Sequence, residues 1–166
     1  NINKSFFVPS VDEMFFSAAY TFNCADILAI ELTGIGDDGA LLDGIVYSKD
    51  TFFENIHFKK SWMTYYQIAR KAMIVNISDA IAMNAKPKYA LLGVAMPKDI
   101  SKSQMKELAQ GFSDTALEYG VEIIGGDTIS NIKLDISVTI ISKTTKPLKR
   151  VGLRNNFFLA YTGESG

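Results

Sequence analysis

Cysteine and histidine are almost absent from this sequence, which contains one residue of each, Cys24 and His57. A single cysteine cannot form an intramolecular disulfide, so the chain is compatible with a reducing cytoplasm. A zinc site would need more ligands than one cysteine and one histidine supply. The chemistry of the chain must therefore be sought among other side chains.

The sequence also lacks an excess of basic charge, since its 166 residues carry a net charge of −1 and its pI is near 5.8. This balance argues against nucleic acid as the main partner. No apolar run reaches the length that crosses a membrane, and no basic region followed by an apolar stretch marks a signal peptide. The length fits one compact domain, and the composition is apolar enough to form a core.

Glycine and aspartate are concentrated in residues 34–40, which read GIGDDGA. Glycine lets the backbone turn through positive φ and approach a ligand closely. Two neighbouring carboxylates repel each other by roughly 4 kcal/mol at ~4 Å and an effective dielectric of about 20, and a divalent cation reverses that sign. The stretch is therefore either a solvated surface turn or part of a cation site.

Hydrophobic periodicity predicts a chain of alternating strands and helices. Helices are predicted over residues 11–29, 64–83 and 101–119, the last with a capping box at Ser101 and Gln104 and a C-terminal cap at Gly120. Leu108, Phe112, Thr115 and Tyr119 are predicted to line its buried side. Strands are predicted over residues 45–50, 89–96 (buried on both faces), 121–124, 133–141 and 157–161. The alternating strand 133–141 indicates a partly antiparallel sheet, so the predicted fold class is α/β (α+β) with a mixed, largely antiparallel sheet.

Carboxylates occur in four of the predicted segments, mostly at strand ends or in glycine turns: Asp37, Asp38, Asp50, Asp79 and Asp127. Residues 125–128 (GGDT) read as a second glycine–carboxylate turn, and Asp50 is predicted to end its strand. Carboxylates with glycine-rich backbone, and without a cysteine cluster, suit Mg²⁺ holding a polyphosphate. The chain contains neither a Walker A lysine motif nor the glycine and catalytic loops of protein kinases.

Three of the candidates keep alternative interpretations. His57 is either a packing residue or a ligand contact, and Asp79 is either hydrated at the edge of a buried helix face or bound to a metal. Residues 143–150 read as a solvated basic loop on charge alone, although Arg150 is a candidate cation for phosphate.

Several stretches, taken in order, resemble the motifs of the thiamine-monophosphate kinase family. They are Gly36-Asp37-Asp38, residues 50–58 (DTFFENIHF), residues 71–79 ending NISD, residues 82–87 (AMNAKP) and residues 125–128. The resemblance covers roughly residues 30–166. The wider superfamily includes aminoimidazole ribonucleotide synthetase, selenophosphate synthetase and a hydrogenase maturation factor, and the segment ending at Phe58 points to the thiamine branch.

The resemblance implies ATP-dependent phosphorylation of thiamine monophosphate to thiamine diphosphate by direct transfer. It implies Mg²⁺ ligands at Asp38, Ser48, Lys49 (through its main chain), Asp50, Asp79 and Asp127. It further implies ATP contacts at Gly126, Asp127 and Arg150, and a thiamine monophosphate contact at His57. No side chain is assigned as a catalytic residue, because positioning and metal ions carry the transfer.

Three positions depart from the family pattern: Lys49 replaces a usual threonine, and Asn55 and Asn84 replace common glycines. The asparagines are mild departures because asparagine tolerates the left-handed conformation. By resemblance, residues 1–166 are an N-terminal domain whose sheet pairs with a second copy in a dimer barrel. A C-terminal domain is expected beyond residue 166, so the isolated chain is expected to be inactive. The alternatives are another superfamily enzyme, such as a hydrogenase maturation factor or phosphoribosyl-amidine cyclase, or a non-catalytic nucleotide-binding dimerisation module.

Overall fold

The computed structural model describes residues 37–151. The helix predicted over residues 11–29 and the strand predicted over residues 157–161 lie outside this range. The elements follow in the order β1 (Ala40–Leu42), β2 (Ile45–Phe53), α1 (Tyr65–Ala82), β3 (Lys86–Pro97), α2 (Lys102–Tyr119), β4 (Glu122–Asn131) and β5 (Asp135–Lys143). Within the described range, no helix has both the length and the apolar character needed to span a membrane.

The strands form one five-stranded sheet in the order β1-β2-β5-β3-β4. Strand β3 pairs with β4 in parallel, and the other pairings are antiparallel. Both helices lie on one face of this sheet, where α1 packs on β2 and β5 and α2 packs on α1. The predicted fold class is therefore confirmed as α/β with a mixed, largely antiparallel sheet, whereas the dimer barrel stays a prediction.

The two faces of the sheet differ in what covers them. On the helix face, β5 buries Ile136, Val138 and Ile140 in the core beneath α1. On the open face, Tyr47 and Leu91 are each 39% exposed. Within one chain, the predicted burial of residues 89–96 on both faces is therefore found on the helix face only, because both helices cover the same side, and burial of the other face depends on the predicted dimer.

The helices begin and end where local hydrogen-bonding chemistry predicts. In α2, the Ser101 and Gln104 side chains form the predicted capping box, and Gly120 ends the helix with φ of 64°. Helix α1 has an unpredicted box of the same kind at Thr64 and Gln67. Tyr119, predicted to be buried, is 36% exposed at the last position of the helix.

Two local predictions are wrong because strands extend through them. Residues 125–128 lie inside β4, paired with β3, and do not form a turn. Strand β2 continues to Phe53, so Asp50 lies within the strand and not at its end. Strand β1 was not predicted at all, although the Asp43-Gly44 turn that joins it to β2, with φ of 49° and 77°, has a common hairpin sequence.

Candidate active site

The carboxylates of Asp50 and Asp79 meet between β2 and α1. Asp50 pairs in register with Val138 on the helix face of the sheet, and Asp79 lies in the last turns of α1. The two side chains are within hydrogen-bonding contact. Asp79 is half-buried at this point, and the packing of α1 on β2 pairs its carboxylate with that of Asp50.

This pairing changes the acidity of Asp79. Burial and the nearby charges of Asp50 and Asp38, with a hydrogen bond to Asp50, raise the pKa of Asp79 to about 6, while Arg150 opposes the shift. Like charges at one site disfavour the ionised form, and a cation would reverse that effect. The raised pKa of Asp79 thus reflects its burial first and the negative charge of the neighbouring carboxylates second.

Asp37 and Asp38 are both held by Arg150. The Arg150 guanidinium forms an ion pair with Asp38, and its backbone N–H donates to Asp37 Oδ1 at 2.7 Å. Asp37 is buried, so its carboxylate fixes the backbone at Arg150, whereas Asp38 is only partly buried. The two adjacent acids therefore have different roles, Asp37 as an anchor and Asp38 as the group nearer to Asp79.

Residues 144–150 are fastened along the end of α1. Asn84 Nδ2 donates to the Lys146 carbonyl oxygen at 2.8 Å, Thr144 Oγ1 donates to the Asn84 carbonyl oxygen at 2.8 Å, and Leu148 N–H donates to the Met83 carbonyl oxygen at 3.0 Å. The side chains of this segment are mostly exposed, as predicted for a solvated basic loop, while these hydrogen bonds hold its backbone. We call it the strap, and it carries Arg150 to the carboxylates.

The side chains of Ser48 and Lys49 point to opposite faces of β2. Ser48 is fully buried, and its Oγ donates to the carbonyl oxygen of Asn76 in α1 at 3.0 Å. Lys49 Nζ donates to Ser137 Oγ at 2.6 Å. Since Ser137 pairs with Thr51 and Gly93, this contact lies on the open face. Lys49 could contribute only its main chain to a cation beside Asp50.

Asn76 is the first residue of the NISD stretch, and the sequence alone assigns it no role in the site. It is completely buried, and neither its Nδ2 nor its Oδ1 has a hydrogen-bond partner within residues 37–151. Buried side-chain amides nearly always have partners. Asn76 lies one turn before Asp79 in α1, so its side-chain amide is next to the carboxylates of the site.

Asp127 does not lie with the other acids. It pairs with Gly93 on the open face, where a 280 Å³ cavity is also lined by Thr51, Asp135 and Ser137. Its Oδ1 accepts a hydrogen bond from the N–H of Thr128 at 2.9 Å. The structure thus brings together Asp38, Asp50, Asp79 and Arg150 and leaves Asp127 apart, so its metal-binding role stays a prediction.

Packing explains why residue 126 is glycine, in addition to its predicted contact with ATP. A Cβ added at Gly126 would overlap the carbonyl oxygen of Leu92 in the neighbouring strand, whereas one added at Gly93 would be 3.5 Å from its nearest neighbour. The parallel pairing of β4 with β3 therefore requires glycine at position 126.

Replacing Gly126 by alanine is expected to destabilise the fold by about 3 kcal/mol, because the backbone of β3 would have to move. The melting temperature should fall by roughly 6–12 °C. The matched control is Gly93→Ala, which should change it by less than a third as much. Equal melting temperatures for the Gly126 variant and the parent chain would contradict the close approach of these strands.

His57 lies in a turn at the far end of β2. Its Nδ1 accepts a hydrogen bond from the backbone N–H of Phe53 at 2.9 Å, and its ring stacks on Phe52 with centroids 5.7 Å apart. The neutral ring therefore carries its proton on Nε2, which is left as a hydrogen-bond donor. Asn55 begins this turn with φ of 69°, and Asn84 has φ of 53°, so the left-handed conformations expected at these two positions are confirmed.

The donor chemistry of the site suits a hard cation. Carboxylate oxygens are the protein ligands that Mg²⁺ prefers, and those of Asp38, Asp50 and Asp79 come from three separate segments. Within residues 37–151, however, no three histidine, cysteine, aspartate or glutamate side chains converge closely enough to hold a metal ion by themselves. Phosphate oxygens or water would have to complete the coordination.

The sequence matches characterised proteins over most of its length. It is 37% identical to thiamine-monophosphate kinase of Bacillus subtilis over 141 residues, which cover 80% of this chain and 43% of that protein. It is 34% identical to thiamine-monophosphate kinase of Leptospira interrogans, covering 75% of this chain and 41% of that protein. The chain therefore spans less than half the length of these relatives.

Solved structures give the same result. Thiamine monophosphate kinase from Aquifex aeolicus superposes with a TM-score of 0.71 at 27% identity, covering 86% of this chain and 45% of that one. A structure described as AaThiL complexed with AMPPCP and TMP superposes with a TM-score of 0.72 at 26% identity, covering 90% and 48%. The resemblance to thiamine-monophosphate kinases is confirmed.

A family model described as AIR synthase related protein, N-terminal domain, matches residues 36–144. This range includes every described element from β1 to β5 and the carboxylates of Asp38, Asp50 and Asp79. The chain belongs to the AIR synthase related protein family and contains its N-terminal domain.

Proposed function

We propose that this chain forms the nucleotide- and Mg²⁺-binding part of an enzyme that phosphorylates thiamine monophosphate with ATP, producing thiamine diphosphate and ADP. The observation that carries the proposal is the contact between Asp50 and Asp79, with Asp38 and its partner Arg150 close enough to influence the pKa of Asp79. Its support is the similarity to thiamine-monophosphate kinases, one of which was crystallised with AMPPCP and TMP.

The carboxylates and Arg150 have complementary parts in this proposal. Asp38, Asp50 and Asp79 would hold the cation, which would supply positive charge to neutralise the phosphates. The Arg150 guanidinium is more than half exposed, so it can leave Asp38 and bind a phosphate without losing a buried contact. Asp37 keeps the backbone at Arg150 in place during that exchange.

His57 is proposed to contact thiamine monophosphate through Nε2–H, the donor that its bond with Phe53 leaves available. Gly126 and Asp127 are proposed to contact ATP and its metal from β4. Strand β4 presents Asp127 on the open face, whereas Asp50 and Asp79 lie on the helix face. A ligand that contacts both sets of residues must therefore extend around the sheet, or a further protein segment must connect them. Ser48 and the Lys49 main chain complete the proposed metal site.

Two other functions have less support. Hydrogenase maturation proteins share the fold at 20–23% identity, which carries no further argument about activity. A non-catalytic nucleotide-binding module would need no acceptor contact. Two assays separate these functions from the kinase. The kinase should form thiamine diphosphate, whereas a non-catalytic module should bind nucleotide without forming it.

A homodimer is proposed because the open face has no protein covering within residues 37–151. Tyr47, Leu91 and Ile129 expose apolar surface there, and a second copy of the sheet would bury it. Light scattering should give twice the chain mass of 18.3 kDa.

The control for the dimer compares two charge substitutions. Leu91→Glu on the open face should shift the protein to monomer, because a dimer would bury an unpaired charge. Leu117→Glu in α2, where the leucine is already exposed, should leave the mass unchanged. A monomeric parent chain at micromolar concentration would contradict the proposal.

A further inference from the structure

A lysine-lined cavity of about 740 Å³ lies at the end of the sheet away from His57. Lys86, Lys88 and Lys143 line it, with Asp43 as the one acidic residue among its described neighbours. None of the proposed metal ligands lines it, and its wall residue Ile45 is five residues along β2 from Asp50, roughly 17 Å in a strand, although Ile81 in its wall is only two residues beyond Asp79 in α1. Its volume is that of a small-molecule site.

The strand register forces two of these lysines together. Lys86 and Lys143 are directly opposite each other in the antiparallel pairing of β3 and β5. Like charges in that arrangement are destabilising. None of the three lysines forms an ion pair with an acidic side chain in the part of the chain that the structure describes. An anion in the cavity would relieve this repulsion.

The charge balance indicates how much negative charge the cavity suits. Three lysines face Asp43 and the C-terminus of α1, which contributes about half a negative charge. Because three positive charges outweigh these, a surplus of about 1.5 positive charges remains, and a phosphate monoester carries about 1.5 to 2 negative charges near neutral pH. The charge therefore matches one phosphate group, not a polyphosphate.

The remaining wall is apolar or neutral. Ile45, Ile81 and Ala85 line the cavity beside the lysines, as do the hydroxyl-bearing Thr144 and Thr145. A bare phosphate ion would leave most of this volume unfilled. We propose that the cavity binds an organic phosphate monoester, with its phosphate on Lys86, Lys88 and Lys143 and its organic part against Ile45 and Ile81.

Calorimetric titration of the chain in chelator-containing buffer tests this with three probes: phenyl phosphate, inorganic phosphate and phenol. Phenyl phosphate should bind at least fivefold more tightly than inorganic phosphate, and phenol should not bind measurably. Failure of phenyl phosphate to bind at millimolar concentration would overturn the proposal. Because no metal is present and no nucleotide is added, the result does not depend on the proposed kinase function.

Variants separate a built site from general attraction to lysine. Lys86→Gln with Lys143→Gln should weaken phenyl phosphate binding at least tenfold, while Lys86→Arg with Lys143→Arg should retain it within threefold. The matched control is Lys102→Gln with Lys106→Gln, on the exposed surface of α2. Equal weakening by the control pair would overturn the proposal.

Two further measurements show that the effect is local. Ile81→Ala should weaken binding of phenyl phosphate but not of inorganic phosphate, since it removes contact with the ring alone. The ligand-free Lys86→Gln, Lys143→Gln variant should melt at or above the parent temperature, because a like-charge contact is removed. A lower melting temperature would contradict the repulsion on which the site is argued.

Discussion

Replacing Asp79 by asparagine is expected to have opposite effects on stability with and without Mg²⁺ and nucleotide. Without them, the variant should be more stable than the parent near pH 8, because the charge beside Asp50 is removed. With Mg²⁺ and an ATP analogue, the parent should be stabilised by mass action, by about 2.7 kcal/mol at a hundred times the dissociation constant. The variant should lose most of that gain.

The pH dependence gives the sign of the first effect. The pKa of Asp79 is raised to about 6 in the folded chain, from the ordinary aspartate value of 3.8 that applies to the unfolded chain. The folded chain therefore holds more protons than the unfolded chain between these values, and its stability falls as the pH rises through them. Allowing for solvent screening at this partly exposed group, the loss is about 1 kcal/mol. The Asp79→Asn variant should not show this loss of stability above pH 6.

Thermal melts near pH 5 and near pH 8, each with chelator or with Mg²⁺ and the analogue, measure both effects. The matched control is Asp99→Asn, a loop carboxylate that should behave as the parent in all four conditions. Equal stabilisation of the Asp79 variant and the parent by Mg²⁺ and nucleotide would remove Asp79 from the proposed site.

The second large effect concerns turnover. The 166-residue chain is expected to show no detectable thiamine diphosphate formation, whereas a chimera in which it replaces the matching part of the Bacillus subtilis relative should be active. The matched region covers 43% of that protein, so the chain contains less than half of it. Misplacement of reacting groups by ~1 Å can lower a rate by about a hundredfold. Within residues 37–151, His57 is the one proposed acceptor contact.

The chimera carrying Asp79→Asn is the control, since it tests whether the activity depends on this chain's carboxylates and not on the added half alone. The parent chimera should exceed both it and the isolated chain by at least about a hundredfold. Comparable rates for the isolated chain and the chimera would show that residues 1–166 hold a complete catalytic site, and the proposed division of domains would be wrong.

Local chemistry in the sequence was enough to predict both described helices. The capping box at Ser101 and Gln104, the cap at Gly120 and the left-handed Asn84 each depend on a few neighbouring residues, and all are confirmed. The alternating pattern before residue 141 likewise predicted β5, because burial under α1 affects every second residue.

What local sequence could not show is which segments pair. The glycines before Asp127 suggested a turn, yet the close approach of β3 makes them part of a parallel strand. The basic character of residues 143–150 correctly indicated a solvated loop, but it could not show the hydrogen bonds to Met83 and Asn84 that hold the backbone. Both features depend on contacts between residues far apart in sequence.

The strap also makes two functional groups part of one cooperative unit. Asp79 lies in α1, and Arg150 is joined to the end of that helix through Leu148 and Asn84. Local opening of either part would break hydrogen bonds of the other, so we expect the two parts to open together. A ligand that binds both Asp79 and Arg150 therefore has to order one structural unit and not two. The conformational entropy lost on binding is smaller for that reason.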